Sequence, residues 1–248
     1  MRVLPASPRA RRLVVLGLIA TTVLAASAHG LNVLVSARTF QFFGGLTHRV
    51  EVPDKLVALT FDDGPDPAGT GELLETLATA AVPATFYLTG RELARQPELG
   101  ARIARAGHEI GNHSYSHERM VFVTPSTVAD EVERTDTLIR GTGYRGEITF
   151  RPPNGKKFLT LPHYLSQRQR KTIMWDVEPD SYAEVAASPS GIVEHAAEHT
   201  RPGSIILLHA MYQSRTTSRQ AVAPLVQRLR GLGYRFVTVS ELLAHPRE

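Results

Sequence analysis

The chain has 248 residues, enough for one domain of ordinary size and a short appendage, and 42% hydrophobic with 21% charged residues excludes a disordered polymer. Cysteine is absent, which excludes disulfides, thiolate metal ligands and a cysteine nucleophile. The net charge of +4 comes from Arg2, Arg9, Arg11 and Arg12 in a leading segment without Asp or Glu; beyond residue 36, basic and acidic residues balance at 24 each, so no nucleic-acid partner is expected.

Those arginines precede an apolar run at 13–28 that ends in Ala26-Ser27-Ala28, the layout of an export signal with a small-residue cleavage site. Apolar character continues through Leu31, Val33, Leu34 and Val35. Read as one segment, 13–35 exceeds the roughly 20 residues that span a bilayer. Residues 1–36 are therefore expected to be a signal-anchor or signal peptide, with the anchor preferred. The arginines would stay cytoplasmic and the domain at 37–248 would lie outside, in the cell envelope or secreted.

From Lys55 onward, short apolar runs alternate with helical patterns. Strands are expected at 57–61, 84–88, 108–111, 148–151, 172–175, 205–209 and 235–239. Between them, Val128, Val132, Leu138 and Ile139 recur at helical spacing behind the cap-like Thr124 and Ser126, and the stretch 221–231 ends in glycine. Such alternation indicates an α/β fold of parallel strands with helices outside, a barrel or an open doubly wound sheet. In a barrel, chemistry gathers at the carboxyl ends of the strands. Asp62 and Asp63, His113 and His117, and the carboxylates of WDVEPD fall just after expected strands, and Arg151 and His209 end theirs.

Two adjacent carboxylates leaving a buried strand repel each other, and a cation relieves that repulsion. Asp-Gly-Pro is also an ordinary turn. His113-Ser-Tyr-Ser-His117 places two imidazoles four apart, able to face one metal from a helical turn. With Asp63 they make a His₂-carboxylate set that leaves coordination positions open.

In order, TFDDGP, H-S-x-x-H, R-P-P-x-G and a late Leu-His resemble the motifs of the polysaccharide deacetylase (NodB-homology) family, carbohydrate esterase family 4, over about residues 50 to 242. The resemblance implies a distorted (β/α)7 barrel, here with an N-terminal hydrophobic helix, and a divalent metal, usually Zn²⁺. It also implies hydrolysis of N-acetyl groups on an amino-sugar polysaccharide such as peptidoglycan, or of O-acetyl groups in some members; the chain is expected to be a monomer. By position, Asp63, His113 and His117 match the metal ligands, Asp62 the general base and Arg151 the residue that orients it. The backbone N–H of Asn154 matches an oxyanion donor, Leu208 the wall beside the acetyl methyl, and His209 the general acid.

Two departures stand out. Asn154 replaces a usual tyrosine, and the D-x-x-D-W motif is matched by Glu178-Pro179-Asp180-Ser181-Tyr182. Glu178 then takes the place of the carboxylate that orients His209, with Asp176 and Asp180 as competitors, and Tyr182 that of the tryptophan platform. Three rival readings remain: an O-acetyl esterase on the same scaffold, an inactive glycan-binding relative, and a zinc protease built on His195-Ala-Ala-Glu-His199.

Overall fold

A computed structural model describes residues 7–245; Arg2 of the leader and Glu248 lie outside them. Helix α1 (Pro8–Val35) begins at Ser7, whose hydroxyl accepts from the Ala10 N–H at 3.2 Å, and Pro8 occupies its first turn. It is long and apolar enough to cross a membrane, with mean hydropathy 1.8 over its best 18 residues, none buried. Its last residue is different: Val35 is buried against the domain.

The domain strands are β1 (Leu46–Thr47), β2 (Leu56–Asp62), β3 (Thr85–Leu88), β4 (Glu109–Asn112), β5 (Thr172–Ile173), β6 (Ile205–Leu208) and β7 (Arg235–Val237). All the strand pairings are parallel. Strand β2 is central, bonded to β6 on one side and to β3 and β7 on the other. Single bridges of Asn112 with Phe150, Phe150 with Thr172, and Val177 with Ile206 carry the ring from β4 back to β6. The result is the distorted (β/α)7 barrel with an apolar N-terminal helix that the motifs imply.

Strand expectations differ from this at three places. The run at 148–151 forms only the bridge at Phe150, because Pro152 and Pro153 follow it and have no N–H to give a ladder. The run at 172–175 shortens to β5, and β1 was not anticipated because its two residues carry no periodicity.

Helices α2 (Thr70–Ala80), α3 (Gly90–Arg95), α4 (Pro97–Arg105), α5 (Pro125–Gly141), α6 (Thr160–Gln167), α7 (Pro189–His199), α8 (Thr216–Gly231) and α9 (Val239–Leu243) complete the domain. Thr124 caps α5 by accepting from the Thr127 N–H, as its sequence suggests. Strand β2 is buried on both faces, hence its continuous apolar run. Its alternation separates two cores. Val57, Leu59 and Phe61 face outward to Leu73, Leu77 and Leu225 of the helices. Leu56 and Ala58 face inward to Ile205, Leu207 and Trp175. The same period of two turns Thr60 and Asp62 inward, toward the mouth of the barrel.

Candidate active site

Asp62 closes β2, and Asp63 follows it in the left-handed region at φ 73°. In a continuing strand the two carboxylates would point to opposite faces. The positive φ breaks the alternation and keeps both on the mouth side. Gly64 continues the turn at φ 58°, with its carbonyl accepting from the Thr89 N–H at 3.1 Å.

His113 and His117 do not sit on a helical turn, contrary to the sequence expectation. They lie on a loop after β4 with positive φ at Ser114 and His117. Polar side chains hold the loop's shape: the Glu131 carboxylate accepts from the Tyr115 and Ser116 N–H groups, at 2.9 and 2.8 Å, and Ser114 Oγ from that of His117. The imidazole centroids end 4.9 Å apart. His117 Nε2 lies 3.2 Å and His113 Nε2 3.8 Å from Asp63 Oδ1. All three ligand atoms fall within 4.8 Å of one another, as metal donors around one ion must.

The donor chemistry fits a divalent cation. His113 Nδ1 donates to the Arg151 carbonyl at 2.7 Å, which fixes the tautomer and leaves the Nε2 lone pair toward Asp63. Burial, reinforced by His117 alongside, depresses His113 to about 3, so its imidazole is neutral at physiological pH. Two imidazoles with one carboxylate suit zinc-like ions.

Arg151 is fully buried. Its Nη1 donates to Asp62 Oδ1 at 2.6 Å and to Thr60 Oγ1 at 2.8 Å, and its Nη2 to the Met174 carbonyl. Tyr87 stacks beneath it, 4.0 Å from the guanidinium carbon. Burial raises the Asp62 pKa, while the charge of Arg151 opposes the rise. Just beyond, Asn154 sits in the left-handed region at φ 54°, which asparagine tolerates better than most residues. Its N–H has no acceptor among the described residues.

The carboxylate that holds His209 belongs to Asp180, not to Glu178. Asp180 accepts from the His209 N–H at 2.7 Å and faces its Nδ1 at 3.3 Å, with a further bond from Ser218 Oγ. Burial alone would depress His209, but the hydrogen bond and charge of Asp180, with Asp62 and Asp63 nearby, raise it to about 9. Glu178 instead pairs with Arg38 at 2.5 Å and accepts from Trp175 Nε1 and Ser181 Oγ. The third competitor, Asp176, accepts from Ser204 Oγ and the Ile205 N–H at the start of β6.

Two more expectations change. Tyr182 is half exposed and packs against His195, 5.2 Å away; the aromatic wall of the cleft is Trp175. Leu208 points outward into the helix layer, while its neighbour Leu207 lines the cleft. A strand reverses its face at every residue, so a motif match off by one position selects the opposite side.

Asp62, His113, His117 and His209 share a cleft of about 400 Å³. Residues that no motif marked complete it: Ser36 and Arg38 just after α1, Lys156 beside the Asn154 turn, and Arg215 after β6. Domain and helix are joined here. The Lys157 N–H donates to the Val35 carbonyl at 3.0 Å, and Lys157 Nζ to that of Ala37. His195 and His199 stack on each other on α7, and among the described residues the one three-residue metal-type cluster is Asp63, His113 and His117.

A parallel barrel with carboxylates and imidazoles converging at the carboxyl ends of its strands has the layout of an α/β-barrel enzyme, and its metal-type cluster beside a buried carboxylate is suited to hydrolysis. Residues 49–173 match the family model described as polysaccharide deacetylase. The chain is 32% identical to a peptidoglycan-N-acetylglucosamine deacetylase of Bacillus cereus, over 82% of this chain and 94% of that one. It is also 32% identical to the peptidoglycan-N-acetylmuramic acid deacetylase PdaC of Bacillus subtilis, over 78% of this chain and 40% of that one. The solved structure of the Bc1960 peptidoglycan N-acetylglucosamine deacetylase, bound to an N-oxidanyl-benzamide, superposes with a TM-score of 0.75 at 29% identity, covering 81% of this chain and 94% of that one. The chain belongs to the polysaccharide deacetylase family, and its activity is deacetylation by hydrolysis.

Proposed function

We propose that the chain removes N-acetyl groups from amino sugars of a bacterial envelope glycan, peptidoglycan first, as a metal-dependent monomer. The observation that carries this reading is the convergence of three elements on one cleft: the Asp63, His113 and His117 cluster, the Asp62–Arg151 pair and the Asp180–His209 pair.

Asp63, His113 and His117 would hold the cation, with zinc favoured by the imidazole-rich donor set. When bound, such an ion supplies Lewis acidity to the amide carbonyl and to attacking water. Asp62 accepts the proton of that water through Oδ2, since Oδ1 is held by Arg151. The Asn154 N–H donates to the oxygen that becomes negative as the carbonyl carbon turns tetrahedral, a contribution of about 3 kcal/mol. His209, its Nδ1 held by Asp180, gives a proton from Nε2 to the sugar nitrogen as the C–N bond breaks. Acetate leaves, and the sugar keeps a free amine.

His209 suits a leaving group that departs poorly without a proton, as the sugar amine does. Held near 9, it is protonated at neutral pH. An amine needs that proton to depart, and an activated ester's leaving group does not.

Outside the cytoplasm is where such a glycan lies, so α1 serves as an export signal or an anchor of the domain. Cleavage after Ala28 would leave the contacts of Val35 and Ala37 with the domain in place. The test is release of acetate and free amine from N-acetylglucosamine oligomers and from peptidoglycan, before and after chelation. Acetate release from acetylated xylan alone would replace this reading with an O-acetyl esterase.

A further inference from the structure

The cleft carries more positive charge than its own chain neutralises. Arg151 is matched by Asp62 at 2.6 Å and Arg38 by Glu178 at 2.5 Å. Two further cations line the same space, and among the described residues no carboxylate pairs with either. Lys156 Nζ donates to Asn32 Oδ1 at 3.0 Å and to Ser36 Oγ at 2.7 Å, both neutral acceptors. Arg215 is half-buried, and its guanidinium has no acceptor and no aromatic neighbour among the described residues.

A guanidinium drawn partly out of water without a partner loses hydration and recovers nothing. An arriving oxyanion reverses that loss, and the planar fork of arginine suits a carboxylate or a phosphate. Lys156 and Arg215 come from different segments, the first on the loop two residues past Asn154 and the second at the end of a 3-10 turn six residues past His209. Both therefore stand beside groups assigned to the reaction, where a substituent on the reacting sugar or its neighbour would lie.

We propose that Lys156 and Arg215 form a subsite for an acidic group of the glycan, a carboxylate or a phosphate, so that the enzyme selects anionic over neutral N-acetylated chains. This rests on the deacetylase reading and adds which glycans it takes.

The test measures kcat/KM for acetate release by the full chain from three oligomers of equal length. One is neutral poly-N-acetylglucosamine, one alternates with carboxylated N-acetylmuramic acid, and one bears a sugar phosphate. The wild type is expected to favour an anionic oligomer by about tenfold or more at low ionic strength, with the preference shrinking as salt screens it. Relative to the neutral oligomer, that preference should fall about tenfold in Arg215→Gln and Lys156→Gln and survive only in part in Arg215→Lys, which keeps the charge but loses the fork. Whichever anionic oligomer loses more identifies the anion. A wild type that prefers the neutral oligomer, or a preference unmoved in both glutamine variants, overturns the proposal. If no oligomer releases acetate, the deacetylase reading fails separately. Calorimetric binding of the carboxylated oligomer to wild type and Arg215→Gln then decides the subsite, with equal affinities overturning it.

Discussion

Asp180 grips His209 at two points, its Oδ2 accepting from the backbone N–H at 2.7 Å and its Oδ1 facing Nδ1 at 3.3 Å. The carboxylate is itself buried and further bonded to Ser218. It therefore sets both the orientation and the charge of the imidazole.

Asp180→Asn should reduce turnover by about 10²-fold, within the usual range for an impaired general acid. With His209 raised to about 9, activity that needs its proton persists at neutral pH and falls as pH rises through that value. Without the Asp180 charge, the alkaline limb of the profile should move to lower pH. Glu178→Gln should leave that limb in place, because Glu178 touches Arg38, Trp175 and Ser181 rather than His209. A limb displaced by the Glu178 variant and not by the Asp180 variant would reverse the assignment. The same raised pKa contributes stability that is fully present below about 6.5 and is lost as pH passes 9.

Chelation should abolish acetate release, and zinc or cobalt should restore it. His113→Ala should bind less metal and resist rescue, which metal analysis of the purified protein would register. Undiminished turnover in verified metal-free enzyme would remove the cation from the reaction.

Asp62→Asn keeps a hydrogen-bond acceptor for Arg151 and should retain metal while losing turnover by about 10²- to 10⁴-fold. Asp62→Ala strands a fully buried guanidinium and should also cost about 3–5 kcal/mol of folding stability. Denaturant titration of the two variants separates the effects. Turnover near wild type in Asp62→Asn would end its candidacy as the base.

Leu207 and Leu208 should behave oppositely despite being neighbours. Leu208→Ala removes a residue packed in the helix layer and should cost about 2–5 kcal/mol, with kcat/KM of the folded enzyme little changed. Leu207→Ala opens the cleft and should raise the rate on a propionyl amide relative to the acetyl one. An altered acyl preference in the Leu208 variant, with none in the Leu207 variant, would contradict the facing of β6.

How much was legible in the sequence follows from how local each signal is. The run at 57–61 announces β2 because a strand buried on both faces must be apolar throughout. Asp62, Asp63, His113, His117, Arg151 and His209 were legible because each stands within a few residues of a strand end and carries its chemistry in its own side chain. Arg38 and Arg215 were not, because an arginine outside any motif reads as solvated until the fold brings it to the cleft.

What the sequence by itself determined is the alternation of strand and helix, the apolar leader, and the identity and order of the residues at the barrel mouth. Period-two and period-3.6 patterns and ordered motifs are properties of neighbouring positions, and they survive without coordinates. Only the tertiary structure decided which of Asp176, Glu178 and Asp180 holds His209, which face Leu207 and Leu208 take, and how two histidines on a non-helical loop meet Asp63. Those choices depend on backbone turns of one residue, such as the left-handed Asp63 and His117, and on contacts across distant segments. A single positive φ redirects a side chain to the other side of the chain, and spacing along the sequence does not record its sign.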